Sequence, residues 1–325
     1  MAAIGVTIVL SLVIRNTGKY PVYFKFGKHA QEEGEFGVSK RWLTVTPSAQ
    51  RIDVGQEAVI DLQVLIDKES AWALNSESKP LNNLLVLHLR NGRDYFLVVS
   101  AEYVPSCYGK SLEELMQSST LQVQLIDLGP PSNVPDNLPV PKELWRMVEH
   151  IRTTGLDEPD LFSQPGAQND FIAIREALDA GFPEQLPCPD RGVHSVCEAL
   201  LRFLDSLPES VIPLAFQDRC LRVSQSPVAC WQIVDQMPVI HSETFHYLIQ
   251  FLREVLQHSV RNGTTELTLC ETFAGLFFRM DGEKKSSSDV VDKHRAIGFV
   301  QSCLAYDKET ALRSKLFENR VPNMF

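Results

Sequence analysis

The chain has 325 residues, 44% of them hydrophobic and 22% charged, with a mean hydropathy of −0.09. That balance excludes a disordered chain and a membrane bundle, and the length favours two domains over one, since domains average roughly 100–200 residues. Lys plus Arg total 31 against 41 Asp plus Glu, a net charge of −10, which argues against nucleic acid or an anionic membrane surface as a direct ligand, because both reward a basic field.

The run from Ala3 to Ile14 is almost wholly apolar. No Lys or Arg precedes it, no small-x-small cleavage site follows, and about twelve residues cannot span a bilayer of roughly 30 Å, so the run predicts a buried β-strand. Further strands are predicted at Tyr20 to Phe26, Leu43 to Thr46, Glu57 to Ile66, Asn83 to Leu89 and Tyr95 to Tyr103, separated by turn residues. Between the last two, Asn91-Gly92 signals a hairpin with a type I′ turn, whose central positions both need positive φ. Several short strands at close spacing predict an immunoglobulin-like β-sandwich, placed at residues 1–120.

Residues 121–141 read as a linker, because Pro130, Pro131, Pro135, Pro139 and Pro141 leave no room for a ladder or a helix. Beyond it the apolar period becomes helical. Leu144, Met147, Val148 and Ile151 share one face, as do Val196, Leu200, Phe203, Leu204 and Leu207, and longer stripes follow at Phe245 to Leu256 and Leu269 to Phe277. Residues 142–320 are therefore predicted to be an all-α domain, with residues 282–289 (GEKKSSSD) as a polar loop between helices. The fold class is a multidomain β plus α chain.

Seven cysteines without a C-x-x-C pair suit reduced, buried thiols rather than a disulfide framework or a zinc site. No Walker loop, G-x-G-x-x-G, G-x-S-x-G or H-E-x-x-H is present. His241 and His246 are five apart, on different faces of a helix, which predicts solvent-facing or capping roles rather than a metal clamp. The carboxylates Glu113 and Glu114, and Asp157, Glu158 and Asp160, read as solvated faces. No catalytic constellation, metal site or cofactor site emerges. Two signals point to protein partners instead. Leu125-Ile126-Asp127-Leu128 resembles the clathrin box, with Gly129 in place of its terminal acid, although a last strand or linker residues packed on the second domain read equally well. Trp145, in the first helix after the linker, is either core or a peptide-binding anchor.

Longer runs carry a family likeness. Leu84 to Leu89, Gly92 to Leu97 and Tyr103-Val104-Pro105-Ser106-Cys107-Tyr108-Gly109 resemble the ASH domain of the OCRL-type inositol polyphosphate 5-phosphatases. Pro141 to Trp145, Asp160-Leu161-Phe162-Ser163-Gln164-Pro165-Gly166, His194 to Leu201, Leu207 to Ile212 and Phe245 to Glu254 resemble the RhoGAP-like domain of the same proteins. The likeness covers about residues 12 to 305. Nothing resembles the phosphatase domain's metal-coordinating and phosphate-binding motifs, so the chain looks like the C-terminal part of such a protein, and no phosphatase activity is expected of it.

The resemblance also implies a lost GTPase-activating function. An active RhoGAP domain supplies an arginine finger, worth roughly 10³–10⁵ in rate, immediately after the Phe that here is Phe162. Ser163 stands at that position, and a hydroxyl cannot replace a guanidinium. Leu201 and Asp205 stand where the family has a Lys and an Arg, and Leu276 where it has an Asn. The family implies two kinds of partner. ASH domains bind Rab GTPases through a sandwich edge near the turn that here holds Ser106 to Gly109, which makes Tyr108 a candidate contact. The RhoGAP-like domain binds adaptor peptides containing Phe and His, with a Trp that by position is Trp145. The expectation is a non-catalytic adaptor that binds Rab GTPases and endocytic adaptors, with clathrin and Rho-family GTPases as further candidates. It would be cytoplasmic and recruited to early endosomes, Golgi and clathrin-coated membranes. Membrane association is expected to be indirect, because the sequence offers neither a C-a-a-X box nor a polybasic anchor. The alternative is a residual GTPase-activating protein for Rho-family GTPases, using Gln164.

Overall fold

A computed structural model describes residues 2–27, 40–76, 81–125, 138–181, 185–279 and 287–306. The chain divides into two compact units, Met1–Gly109 and Lys110–Phe325. No helix among the described residues is long and apolar enough to cross a membrane.

The first unit is a sandwich of two antiparallel sheets. Strands β1 (Thr7–Arg15), β2 (Val22–Gly27), β3 (Leu43–Thr46), β4 (Ala49–Ile52) and β5 (Glu57–Leu65) are followed by helix α1 (Lys68–Ser76), then β6 (Leu81–Leu89) and β7 (Asp94–Ala101). One sheet has the order β1-β5-β3 and the other β4-β2-β6-β7. Alternation decides what is buried: in β5 the side chains of Ala58, Ile60 and Val64 point inward, and in β2 Phe24 and Phe26 do so, their rings edge to face at 5.9 Å. Asn16 ties the sheets together. From the end of β1 its Nδ2 donates to Tyr20 O at 2.8 Å and to Ile52 O of β4 at 3.1 Å, while its Oδ1 accepts from Gly18 N.

Three features depart from the sequence reading. The apolar run near the N-terminus is a strand, but an exposed edge strand rather than a buried one. The hairpin at Asn91-Gly92 forms, yet its last strand pair is His88↔Asp94 and only Asn91 takes a positive φ, 59°, so the turn is wider than type I′. Gly92 is needed for room, since a Cβ there would lie 2.9 Å from that of Leu89. Helix α1 interrupts the run of strands. Asp67 caps it, accepting from Ser70 N at 2.8 Å and salt-bridged to Arg41 at 2.5 Å. These bonds outweigh the burial that opposes ionisation, and Asp67 is held below the usual carboxylate range.

The second unit is helical. It begins with α2 (Leu112–Leu125), continues through α3 (Lys142–Thr154), α4 (Gln168–Ala180), α5 (Val193–Ser206), α6 (Leu214–Val223), α7 (Pro227–Val234), α8 (Val239–Gln257), α9 (Ser259–Asn262) and α10 (Glu266–Phe278), and ends with α11 (Ser287–Ala305). Helix α2 occupies residues assigned from the sequence to the end of the sandwich and the start of the linker, and the division between units falls at Gly109 rather than at 120. A capping box explains its start: Ser111 N donates to Glu114 Oε2 at 2.7 Å and Glu114 N donates to Ser111 Oγ at 3.2 Å. Its packing against α3 and α8 places it with the helices. Ser287 to Asp289, read as loop, open α11.

The core is built around α8, whose Phe245, Leu248, Ile249, Phe251 and Leu252 are fully buried. Phe245 meets Trp231, Phe277 and Phe299 with ring centroids 5.9, 5.3 and 6.0 Å apart. The end of α11 is captured by Arg253, which donates to the carbonyls of Cys303, Leu304 and Tyr306. All seven cysteines are free thiols, each buried except Cys188, which is half-buried.

Replacing Asn16 with Ala would strand the buried Ile52 carbonyl and remove the part-buried bond to Tyr20 O. Urea unfolding of that variant is expected to show a loss of about 1–3 kcal/mol, the desolvation cost of unmade buried hydrogen bonds.

Candidate functional site

The loop between α3 and α4, residues 155–167, carries Ser163, the residue that the resemblance sets at the arginine-finger position. It is held at three points. At its start, the fully buried Asn262 donates from Nδ2 to Leu156 O and Val255 O, both at 2.9 Å, and its own carbonyl accepts from Asp160 N at 3.0 Å. Asp157 accepts from His258 Nδ1 at 2.6 Å and Arg261 Nη1 at 2.5 Å, and these bonds hold its carboxyl below the usual range. At its end, Gly166 N donates to Glu198 Oε2 at 2.5 Å and Ala167 N to Ser195 Oγ at 3.1 Å. Ser195 Oγ in turn donates to the buried Asp170 at 2.6 Å. Only glycine fits at 166, because a Cβ would meet Ser195 Cα at 2.6 Å.

The middle of the loop is held by Phe162. Its ring stands edge-on to Phe273 of α10 at 5.2 Å and to Phe251 of α8 at 6.2 Å. Its backbone hydrogen-bonds the buried Cys197 of α5, whose thiol is nevertheless pushed up to about 12 by burial. Asp160 and Phe162 both adopt left-handed φ, 55° and 65°, a conformation that disfavours side chains by about 1–2 kcal/mol each. The carbonyl of Asp160 accepts from Ser163 N at 3.0 Å and Gln164 N at 3.2 Å. This tight turn leaves Ser163 exposed at the tip.

The loop therefore rests on α5, which carries Leu201 and Asp205 one turn apart, and on α8 and α10, the latter carrying Leu276. Asp205 is exposed, while Leu201 and Leu276 are half-buried. Gln164 is turned back on its own loop, with Nε2 3.4 Å from Asp160 Oδ2. Sequence reasoning missed Arg202, beside Leu201. Its guanidinium pairs with Glu198, donates to Gln168 Oε1 at 3.2 Å and lies 4.4 Å over the Phe171 ring, so this cation braces the base of the loop.

Tyr108 is not a surface contact. It is 1% exposed, flanked by the buried Ser106 and Cys107, and its carbonyl accepts from Asn75 Nδ2 of α1 at 3.1 Å. Gly109, at φ 82°, lies against Ala71 and Trp72 of the same helix. The turn was misread because α1, on which it packs, was not foreseen. Trp145 is half-buried on α3, whose neighbouring positions 143, 144, 146, 147 and 148 are all buried. Two turns further on, Arg152 pairs with Glu254 at 2.6 Å and reaches the Tyr247 hydroxyl at 3.2 Å, and burial pushes that phenol up to about 12. Of the clathrin-box-like stretch, Leu125 ends α2, while Ile126, Asp127 and Leu128 lie outside the described residues. His241 is buried, against expectation: Nδ1 bonds to Val211 O at 3.0 Å, and Nε2 faces Glu113 at 3.4 Å. His246 stacks on Trp231 at 4.5 Å. Among the described residues no group of three or more His, Cys, Asp or Glu is placed to hold a metal ion.

Residues 7–103 match the family model of the inositol polyphosphate 5-phosphatase OCRL-like ASH domain, and residues 141–282 match that of the RhoGAP domain. The chain is 35% identical over 307 residues to the type II inositol 1,4,5-trisphosphate 5-phosphatase of Mus musculus, which covers 90% of this chain and 30% of that protein. It is 31% identical over 134 residues to Rho GTPase-activating protein 22 of Mus musculus, 39% of this chain and 19% of that protein. The chain thus spans less than a third of either relative. The crystal structure of human Rho GTPase activating protein 15 superposes with a TM-score of 0.50 at 17% identity, over 60% of this chain and 89% of that one, a likeness of fold.

Phe162→Ala should cost about 2–3 kcal/mol in chemical unfolding, somewhat less than the loss of a fully buried ring. Ser163→Ala, which removes only an exposed hydroxyl, should change stability by less than about 0.5 kcal/mol.

Proposed function

Because this chain carries the ASH and RhoGAP domains of the OCRL-like inositol polyphosphate 5-phosphatase family, we propose that it is a protein-interaction region that recruits partners without accelerating GTP hydrolysis. The observation that supports this reading is the loop between α3 and α4: it is anchored through Phe162 and Gly166, and its exposed tip carries Ser163, the residue that the resemblance sets at the arginine-finger position. A serine hydroxyl supplies neither the charge nor the forked donors that stabilise the transferring phosphoryl group. Asp205 adds a negative charge on the supporting helix. Gln164 offers no replacement in its present rotamer, since it points back to Asp160.

The partners in this reading are Rab GTPases at the sandwich and Phe/His-containing adaptor peptides at the helical unit, bound at endosomal, Golgi and clathrin-coated membranes, with clathrin itself a further candidate. Trp145 supports the second contact: it is a half-exposed aromatic on α3, and the positions on either side of it, 143, 144, 146, 147 and 148, are buried. With Tyr108 buried, we assign the Rab contact to strand β7, the end strand of its sheet among the described residues, where Val98 is 74% exposed. Two weak contacts on one chain would reinforce each other through effective concentration.

Single-turnover GTP hydrolysis by Rac-, Cdc42- and Arf-type GTPases should be unchanged by the chain. A tenfold stimulation, about 1.4 kcal/mol of barrier, would overturn the non-catalytic reading.

Trp145→Ala should abolish binding of a Phe/His peptide in calorimetry while lowering the melting temperature by only a few degrees. Val98→Glu should weaken binding of a GTP-loaded Rab at least about tenfold. Unchanged affinities would reject these two surfaces.

A further inference from the structure

Among the described residues, strand β1 hydrogen-bonds to β5 alone and forms one edge of its sheet. Soluble proteins protect such edges with short strands, charges, prolines or bulges. β1 has none of these before its last residue: it runs nine residues, TIVLSLVIR, in unbroken register from Thr7↔Leu65 to Arg15↔Glu57. Val9, Leu10 and Val13 are 56%, 55% and 53% exposed.

The strand also reads the same in both directions about Ser11. Leu10 and Leu12, Val9 and Val13, and Ile8 and Ile14 are identical pairs. We propose that β1 pairs antiparallel with β1 of a second copy of this chain, across a twofold axis at Ser11. The backbone register permits it. Asn16 N donates to Gln56 O, and bonding alternates along an antiparallel pair, so even-numbered residues of β1 bond to β5 and odd-numbered ones turn their N–H and C=O to the open edge. A palindrome centred on a residue, rather than between two, pairs odd with odd. The free groups of Val9 then meet those of Val13 of the second copy, Ser11 meets Ser11, and the side chains keep their faces.

The side chains fit as well. On the inner face, Leu10 of each copy lies beside Leu12 of the other, and Ile8 beside Ile14, covering apolar surface that is open at the rim. On the outer face valine meets valine. The nearest charges do not oppose the pairing: Asp61 is held by Ser11 Oγ at 2.8 Å, Arg15 faces Glu57 at 3.7 Å within one chain, and the residue across the axis from Arg15 is Thr7. The product is a continuous six-stranded sheet with closed, isologous symmetry. It depends on the sandwich alone and not on the Rab or peptide reading.

Sedimentation equilibrium of the full 325-residue chain tests this. The wild type should show a reversible monomer–dimer equilibrium with a dissociation constant at or below about 100 μM. V9K/V13K sets like charges opposite each other across the axis and should weaken the dimer at least about tenfold. V9K/V13E sets unlike charges opposite each other in this register alone and should restore a dimer that weakens with salt. Both variants change exposed positions, and unchanged far-ultraviolet circular dichroism and melting would confirm their fold. A wild type that stays monomeric, a dimer indifferent to V9K/V13K, or a failure of V9K/V13E to restore it would overturn the proposal. So would a monomeric wild type whose β1 variants lose a GTP-loaded Rab, which would assign the edge to that partner.

Discussion

The helical unit depends on a chain of aromatic contacts. From Phe299 of α11 it passes through Phe245 of α8 to Phe277 and Phe273 of α10, and it ends at Phe162 in the finger loop. Each ring contact adds about 0.5–1.5 kcal/mol beyond simple burial, and the last one fixes the loop. The left-handed φ values of Asp160 and Phe162 persist because Phe162 is seated between α8 and α10 while Asn262 and Glu198 hold the two ends of the loop. The placement of the loop and the chemistry at its tip are therefore separable. Core packing and buried hydrogen bonds set the first, and an exposed residue that touches none of them sets the second.

That separation explains what could be read from the sequence. The stripes at Leu144 to Ile151, Val196 to Leu204 and Phe245 to Leu256 are core faces, and they emerged as α3, α5 and α8 because burial imposes the 3.6-residue period. The strands at 43–46 and 57–65 emerged for the same reason with a period of two. The braces were not legible. Asn262 holds residues 156 and 160, about a hundred positions upstream, and Arg202 looks like an ordinary surface charge until the fold brings Gln168 and Phe171 to it. Helix α2 did leave a signal, the Ser111 to Glu114 capping box, which the proline-dense stretch behind it obscured. Tyr108 was misplaced because an aromatic beside a glycine turn reads as exposed when the helix that covers it, α1, has gone unseen.

The first strand was misread for a different reason. A run of apolar residues records that a segment needs cover and does not say where the cover comes from. On one face β1 finds it within the sandwich, where Ile8 stands opposite the buried Val64 and Leu12 opposite Ile60. Its open edge and the outer-face valines Val9 and Val13 find none among the described residues. Alternation should have put polar residues at Val9 and Val13, as it does at Gln63, which faces Val9, and at Asp61, which faces Ser11, whereas Val13 faces the equally exposed Val59. Among the described residues Val13 has Val59 across the strand pair, but Val9 has only Gln63, and packing there leaves its apolar side chain unexplained. A strand that must meet its own copy faces a stricter condition. It has to be unbroken, and uncharged and symmetric about one residue over its central stretch, and β1 meets these conditions from Ile8 to Ile14.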